Sequence, residues 1–512
     1  MDSKALLSSP LQMTPFLHAG YMVSAAFVCL LLVSAIRYWK DPLHPIPGPA
    51  VAKFTRVWLL MLELSGKRAL AVHELHQKYG PVVRIGPNEI SFSSPEALRQ
   101  IYGANSKFAK APVYDSMGFK STFTTRNRDE YRAMKKRILP NFGPSAIAAL
   151  EPNVHKHVAG MIKVFDKKAD KPIDIFPWVR LVALCVVGES FAAESFGGLE
   201  RDEPPEVLHE IDAVFPALFV RWMFPTIAAF LQYSPVKSVR DFHGAAHAFR
   251  KYCSTAYTAY LASSDSDTRN HDHLISRMVN ERLRLSEKRQ QLPRHVTDDG
   301  IVDELTNLIF AGTDTTGSSL TYLFWELAHH PEWQVRLREE LKEAVQQQES
   351  YSYSAISELP VLEGVVQEIF RVRPASIGAL PRVVPAGGSV VDGIFVPAST
   401  IISCQGLTTQ RDPTIFPNPD VFNPQRWLDA SATDAANQLE QMRSQMMLFG
   451  KGARACLGRT LATMEIKCAV AAVVQRFQIG IGSPTTDQDM EMTDHFVLIA
   501  KGQRCVLKLD RV

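Results

Sequence analysis

The chain has 512 residues, with 56 Lys and Arg against 53 Asp and Glu, for a formal net charge of +3. So small an excess, with no long basic run and no zinc-type cysteine spacing, argues against nucleic-acid binding. Hydrophobic residues at 46% and charged residues at 21% exclude a disordered chain and supply a large core. The seven cysteines are scattered and odd in number, which does not make a disulfide framework and fits a reducing, cytosol-facing environment.

Residues 1–15 read as a short tail. Phe16 to Ile36 is uncharged and mostly apolar; as a helix it would cover roughly 31 Å, enough to cross a bilayer. It is expected to be a single transmembrane anchor. A cleavable signal peptide is the rival, but the apolar region exceeds the usual ~15 residues and little positive charge precedes it. Arg37, Lys40, Lys53 and Arg56 come next, and this basic excess places the following domain on the cytosolic side. Residues 37–50, with Pro42, Pro45, Pro47 and Pro49, read as a basic, semi-rigid linker. Residues 51–512 read as one large catalytic unit, mainly α with a minor β portion.

Within that unit, Ala69 to Tyr79 reads as a helix closed by Gly80 and Pro81. The segments VVRIG and EISFS alternate around Gly86, Pro87 and Asn88 as a hairpin, and Ser94 with Pro95 starts another helix. RDEYRAMKKRILPNF, Arg128 to Phe142, is basic and helical in period until Pro140, which by itself means a solvated helix face. From Ile211 to Pro235 aromatics accumulate: Phe215, Phe219, Trp222, Phe224 and Phe230. Pro216, Pro225 and Arg221 argue against a second membrane span there, leaving core packing or a lid over an apolar channel. Gln346 to Ser354 and Ala430 to Gln445 are polar connections, and there is no internal repeat.

Thr297 can cap a helix, Asp298 and Asp299 suit its first turn, and no proline interrupts until Pro331. The middle of this long helix reads AGTDTTG, Ala311 to Gly317, which collects poor helix formers where propensity asks for Ala, Leu or Glu. Such a local conflict marks either a functional site or a kink from threonine back-bonding. Further on, Glu368 and Arg371 in EIFR share a helix face, and as an exposed pair would contribute only about 0.2 to 0.5 kcal/mol.

Near the C-terminus FGKGARACLG, Phe449 to Gly458, carries a cysteine that reads as an iron ligand. A thiolate is a strong donor to haem iron and favours O–O cleavage. Gly452 and Gly458 allow a tight turn and close approach to a flat macrocycle, and loop N–H groups can point at the sulfur of Cys456. Arg454 suits a haem propionate, and Phe449 would shield the sulfur side of the ring. A buried, inert cysteine in a glycine-rich turn is the alternative. However, a chance match to F-x-x-G-x-R-x-C-x-G in a chain this long is on the order of one in 10,000.

The segment resembles the haem-binding loop of the cytochrome P450 family, microsomal fungal type, and further motifs agree in order. The resemblance implies that Ala311 and Gly312 leave room for O2 over the haem, and that Asp314 and Thr315 relay protons during O–O cleavage. It implies that Glu368, Arg371 and Arg426 of FNPQRW form a buried structural network. Arg382, with Tyr131 and Lys135 in place of the commoner Trp or His and Arg, would contact the propionates. The implied fold is that of the family, preceded by the anchor, with haem b (iron protoporphyrin IX) on the Cys456 thiolate. The implied reaction is insertion of one oxygen atom from O2 into an apolar small molecule, a polyketide or terpenoid intermediate. Electrons would come from NADPH through NADPH–cytochrome P450 reductase, on the cytosolic face of the endoplasmic reticulum. Substrate-contacting positions are expected near Phe310, Ile377 and Ile211 to Pro235. The rival functions are a haem-thiolate isomerase or dehydratase needing no reductase, which the Asp314–Thr315 pair disfavours, and a haem-binding sensor or electron carrier without turnover.

Overall fold

The computed structural model describes residues 41–512 apart from 170, 195, several positions between 209 and 224, and 264–272, 290, 346–351 and 432–435. It also describes Tyr21, Met22, Ser24, Ala25, Val28 and Cys29. Among the described residues no helix is long and apolar enough to cross a membrane. The expected anchor, Phe16 to Ile36, lies largely outside them, as do Phe215, Pro216, Phe219, Trp222 and Phe224 of the aromatic stretch.

The expected linker is not free-standing where it is described. Leu43 and Ile46 are buried in a cluster with Val82, Ile90 and Phe92, Asp41 pairs with Arg84, and the Arg84 N–H donates to the Pro47 carbonyl at 2.7 Å. A Cβ on Gly48 would sit 2.2 Å from the Arg84 carbonyl oxygen. In place of a free spacer, 41–48 is a turn-containing strap packed against the sheet.

Two helices, α1 (Val57–Leu64) and α2 (Arg68–Tyr79), lead into strands β1 (Val82–Gly86) and β2 (Glu89–Phe92). These pair antiparallel around the turn that Gly86, Pro87 and Asn88 mark. With β3 (Ala109–Lys110), β4 (Arg382–Val383) and β5 (Ile401–Ser403) they form a sheet in the order β1-β2-β5-β4-β3. Strand β2 runs parallel to β5, and β4 is antiparallel to both β5 and β3. A hairpin, β6 (Met492–His495) and β7 (Val497–Ala500), turns at Phe496. Helices make up most of the remainder, among them α3 (Arg128–Ile138), α4 (Phe176–Val187), α5 (Lys237–Ala262), α6 (Asp298–His329), α7 (Pro360–Val372) and α8 (Arg459–Arg476).

Helix α6 is the long element that the sequence marks. The Thr297 hydroxyl accepts the Gly300 N–H at 3.3 Å, and Asp298 and Asp299 meet the positive end of the helix dipole. Its last residue, His329, stands two before Pro331; the residue preceding a proline is pushed out of the helical region, and His330 lies at φ −128°. The helix is continuous over 32 residues, so the weak AGTDTTG middle does not interrupt it. Burial explains this: α6 is covered on nearly every side and packs along α4, and tertiary packing outweighs a propensity deficit of well under 1 kcal/mol per residue.

The structure brings Glu368, Arg371 and Arg426 together. Glu368, fully buried, accepts from Arg371 at 2.7 and 2.9 Å, from Arg426 at 3.1 Å, from the Asn423 N–H at 2.9 Å and from the Trp427 indole at 2.8 Å. Arg371 in turn donates to the Gln410 and Val421 carbonyls at 3.2 and 3.0 Å. The network ties α7 to the irregular stretch 410–427 and leaves no carboxylate oxygen without a donor. Glu368→Gln, which leaves two guanidinium groups uncompensated, should cost about 3 to 5 kcal/mol. Urea unfolding checks this, and an unshifted midpoint would contradict it.

Candidate active site

The loop before α8 is shaped by two left-handed glycines, Gly450 at φ +60° and Gly452 at φ +62°. A Cβ on Gly452 would lie 2.3 Å from the Tyr102 carbonyl oxygen, so the position admits only glycine. Gly458 differs from expectation: it has an ordinary φ of −79°, and a Cβ there would sit 3.9 Å from the Cys456 sulfur, an unstrained contact. Its contribution is an N–H.

The Cys456 N–H donates to the Phe449 carbonyl at 2.7 Å, and the N–H groups of Gly458 and Arg459 at the start of α8 face the sulfur. Burial pushes the thiol up, while these N–H groups and the Arg459 charge pull it down. The positive end of the α8 dipole therefore favours a thiolate as soon as a cation faces it. Phe449 packs edge-on against Phe370, ring centroids 5.2 Å apart. Cys456 is surrounded by protein yet retains exposed surface. In the same way Ala311 is exposed and Thr315 half-exposed in the middle of the otherwise buried α6. Both elements thus keep exposed surface among buried neighbours.

Charge around the loop is one-sided. Lys110 on β3 and Arg382 on β4 stand directly opposite each other in the sheet, both only 5% exposed, and like charges so placed repel. Burial, then Arg382 and Arg454, pushes the Lys110 ammonium well below its usual range. Arg454 is lowered to about 10, first by burial, with Arg382 adding to it. No carboxylate among the described residues pairs with any of the three. They rest on main-chain oxygens: Arg454 on Thr122 at 3.4 Å, Lys110 on Phe123, and Arg382 on Leu380 and Pro381 at 3.2 and 3.1 Å. The Tyr114 hydroxyl is buried and faces Arg382 without a well-formed hydrogen bond. Three cations and an orphan hydroxyl fit the two carboxylates of a haem. Lys110 and Tyr114 carry no motif and are invisible in the sequence; only the β3–β4 register reveals them.

Tyr131 and Lys135 lie on α3, one turn apart, and both donate to the Ala453 carbonyl, at 2.6 and 3.0 Å. The Arg454 guanidinium stacks on the Tyr131 ring at 3.5 Å. In this arrangement the two residues hold the loop and orient Arg454.

On α6 the predicted residues divide between faces, because successive residues are about 100° apart. Thr315 donates to the Ala311 carbonyl at 2.7 Å. Gly312 is half-exposed like Thr315, but its Cβ side is closed: a Cβ there would meet Val187 of α4 at 2.4 Å, and one on the buried Gly317 would meet Arg180 at 2.5 Å. Both glycines let α4 approach. Asp314, 4% exposed, accepts from Arg180 Nη2 and Nε at 2.8 and 3.1 Å. Arg180 precedes it by 134 residues, and no local pattern announces it.

A cleft of about 550 Å³, counting its open mouth, lies beside this region, with Val113, Tyr114, Ala379 and Phe496 on its apolar side. Its polar end holds Arg68 between Glu63 at 2.6 Å and Glu89 at 2.9 Å, and burial raises the Glu63 carboxyl to about 7. Tyr114 belongs both to the cleft and to the cation cluster. Ile377 is fully buried and does not line it, whereas Gly378 and Ala379 do. Phe310 packs edge-on against Phe249 of α5 at 6.3 Å, and Ile211, Val214 and Ala217 are core residues.

A family model described as Cytochrome P450 matches residues 47–506. The chain belongs to the cytochrome P450 family. Among curated relatives it is 30% identical to cytochrome P450 monooxygenase tazI of Aspergillus terreus, over 95% of this chain and 97% of that protein. It is 29% identical to cytochrome P450 monooxygenase stcB of Emericella nidulans, over 91% and 89%, and 28% identical to tryprostatin B 6-hydroxylase of Neosartorya fischeri, over 91% and 81%. Cytochromes P450 bind haem through a cysteine thiolate, and the chain is a monooxygenase of this family. The cation cluster and the Cys456 loop are the features of this P450 that fit that cofactor.

The two loop glycines should respond oppositely to substitution. Gly452→Ala should cost at least about 2 kcal/mol, from the left-handed conformation and the Tyr102 clash. Gly458→Ala should cost less than about 1 kcal/mol. Denaturant midpoints of the two variants check this.

Proposed function

We propose that the protein is a membrane-anchored haem-thiolate monooxygenase that inserts one oxygen atom from O2 into an apolar small molecule, a polyketide or terpenoid intermediate of secondary metabolism. Electrons come from NADPH through a flavoprotein reductase, and the catalytic domain faces the cytosol at the endoplasmic reticulum. The observation that carries the reading is the Cys456 sulfur, exposed and faced by the N–H groups of Gly458 and Arg459, on a loop whose Arg454 stands with Lys110 and Arg382, none of the three paired with a carboxylate among the described residues. Cys456 holds the iron, and Arg382, Arg454 and Lys110 hold the propionates. Tyr131 and Lys135 act through Arg454 and the Ala453 carbonyl. When bound, the haem supplies the activation of dioxygen.

Ala311 keeps the distal side open, and Thr315 presents a hydroxyl there whose proton position is set by its bond to the Ala311 carbonyl. Asp314 is the acid beside it. Since Arg180 holds this carboxylate, delivering a proton from it requires the carboxylate to move off the guanidinium. The substrate lies against the apolar side of the cleft, near Phe496 and Ala379.

Two features support the anchor: the uncharged, apolar composition of Phe16 to Ile36, and the surface of the first helix after it. Phe54, Val57, Met61 and Leu64 are all exposed, and the last three share one face of α1. An exposed apolar helix face just after an anchor suits contact with lipid.

Two outcomes are expected. Cys456→Ser should abolish the strongly red-shifted ferrous-carbonyl band that a thiolate ligand gives; persistence of the band would remove Cys456 as ligand. In Thr315→Ala, NADPH consumption should continue while product per NADPH falls at least about tenfold and hydrogen peroxide rises in its place. Wild-type coupling in that variant would exclude Thr315 from proton delivery.

A further inference from the structure

Segment 119–126 crosses the site between α6 and the cation cluster. On one side it is bound by two adjacent acids of α6. Glu304, 2% exposed, accepts the Thr122 N–H at 2.9 Å, the Thr122 hydroxyl at 2.5 Å and the Asn307 amide at 3.1 Å. Asp303, fully buried, accepts the Lys120 N–H at 3.1 Å and is itself held by Arg250 at 2.7 Å and Arg294 at 3.1 Å. On the other side, the carbonyls of Thr122 and Phe123 accept from Arg454 and Lys110. Within the segment, the Phe123 ring meets Tyr114 and Phe496 edge-on at 5.5 and 5.6 Å, and those two rings form the apolar wall of the cleft.

We propose that Glu304 is a positioning residue for substrate binding: through Thr122 it fixes segment 119–126, and with it the Phe123 ring that backs Tyr114 and Phe496 in the cleft wall. The inference rests on the haem reading. Where propionates share the donors of Arg454 and Lys110, the hold on the two carbonyls on that side weakens, and the hold on the segment shifts toward Glu304 and Asp303. Asp303 reaches only the Lys120 N–H, three residues before Phe123, so Thr122 is the nearer tie to the aromatic wall. Glu304 also lies on the same face of α6 as Ala311 and Thr315, at spacings of seven and eleven, about 10 Å upstream of Ala311. It therefore links the floor of the oxygen site to the wall of the substrate site. Burial raises this carboxyl and the Thr122 and Asn307 bonds oppose the rise, so the acceptor state of the acid itself depends on those bonds.

The test uses the haem-loaded full chain and two iron ligands as probes, imidazole, which reports access to the iron, and 4-phenylimidazole, whose phenyl ring must also fit the wall. Thr122→Val removes the hydroxyl and keeps the volume. It should weaken 4-phenylimidazole about tenfold relative to imidazole, a change of about 1.4 kcal/mol, and raise hydrogen exchange in 119–126 but not in α8. Thr122→Ser should restore both. Equal weakening of the two ligands would mean a merely structural role, and an unchanged ratio would mean no role; either overturns the proposal. The carbonyl band of each variant is recorded first. Its absence from the wild type would overturn the haem-thiolate reading and with it this inference, whereas its presence with an unchanged ratio overturns the inference alone.

Discussion

Two buried cations stand opposite each other on adjacent strands with no anion between them among the described residues, and the site is arranged around that imbalance. Lys110 and Arg382 occupy opposed positions on β3 and β4, and Arg454 adds a third charge from the cysteine loop. Burial and the two neighbouring guanidinium groups push Lys110 toward its neutral form, and anions joining the cluster would offset that cost. Main-chain oxygens of Leu380, Pro381, Thr122 and Phe123 stand in, but a carbonyl dipole compensates far less than a carboxylate. The same loop that brings Arg454 also places Cys456 at the N-terminus of α8, so one turn of chain would supply both the thiolate and one of the cations proposed for the haem.

Helix α6 divides its weak middle between two tasks. Ala311 and Thr315 keep exposed surface, whereas Gly312 and Gly317 are small because Val187 and Arg180 of α4 fill the volume a Cβ would take. Asp314 closes the same contact by pairing with Arg180. The poor helix formers are thus retained partly for close packing of two buried helices and partly for the site itself, and burial keeps the helix unbroken.

Much of the arrangement is legible in the sequence because it is local. Thr297 and Pro331 bracket α6, Gly86 to Asn88 marks the hairpin, and the spacing within FGKGARACLG carries the cysteine loop. Glu368 and Arg371 also show as a pair, and the resemblance implies their burial with Arg426, although the added Trp427 does not show. What escapes is whatever depends on contacts distant in the chain. Lys110 matters only because β3 pairs with the remote β4, Arg180 because α4 packs on α6, and Glu304 because segment 119–126 folds back onto it. The prolines of 41–50 suggest a spacer because composition does not reveal that Leu43 and Ile46 are buried. Gly458 shows the opposite error: a glycine in a pattern is read as a turn, whereas its φ is ordinary and its N–H is what the sulfur uses.

Capping the two carboxylates of haem tests directly whether the three cations hold them. The haem-free protein would be titrated with haem b and with its dimethyl ester, which has the same iron and ring but no propionate charge. Charge-assisted hydrogen bonds are worth about 1.5 to 3 kcal/mol each, so losing two should weaken binding by at least about a hundredfold, with the difference shrinking when Arg382 and Lys110 are both replaced by Met. Equal affinity of the unaltered protein for the two haems would contradict the account.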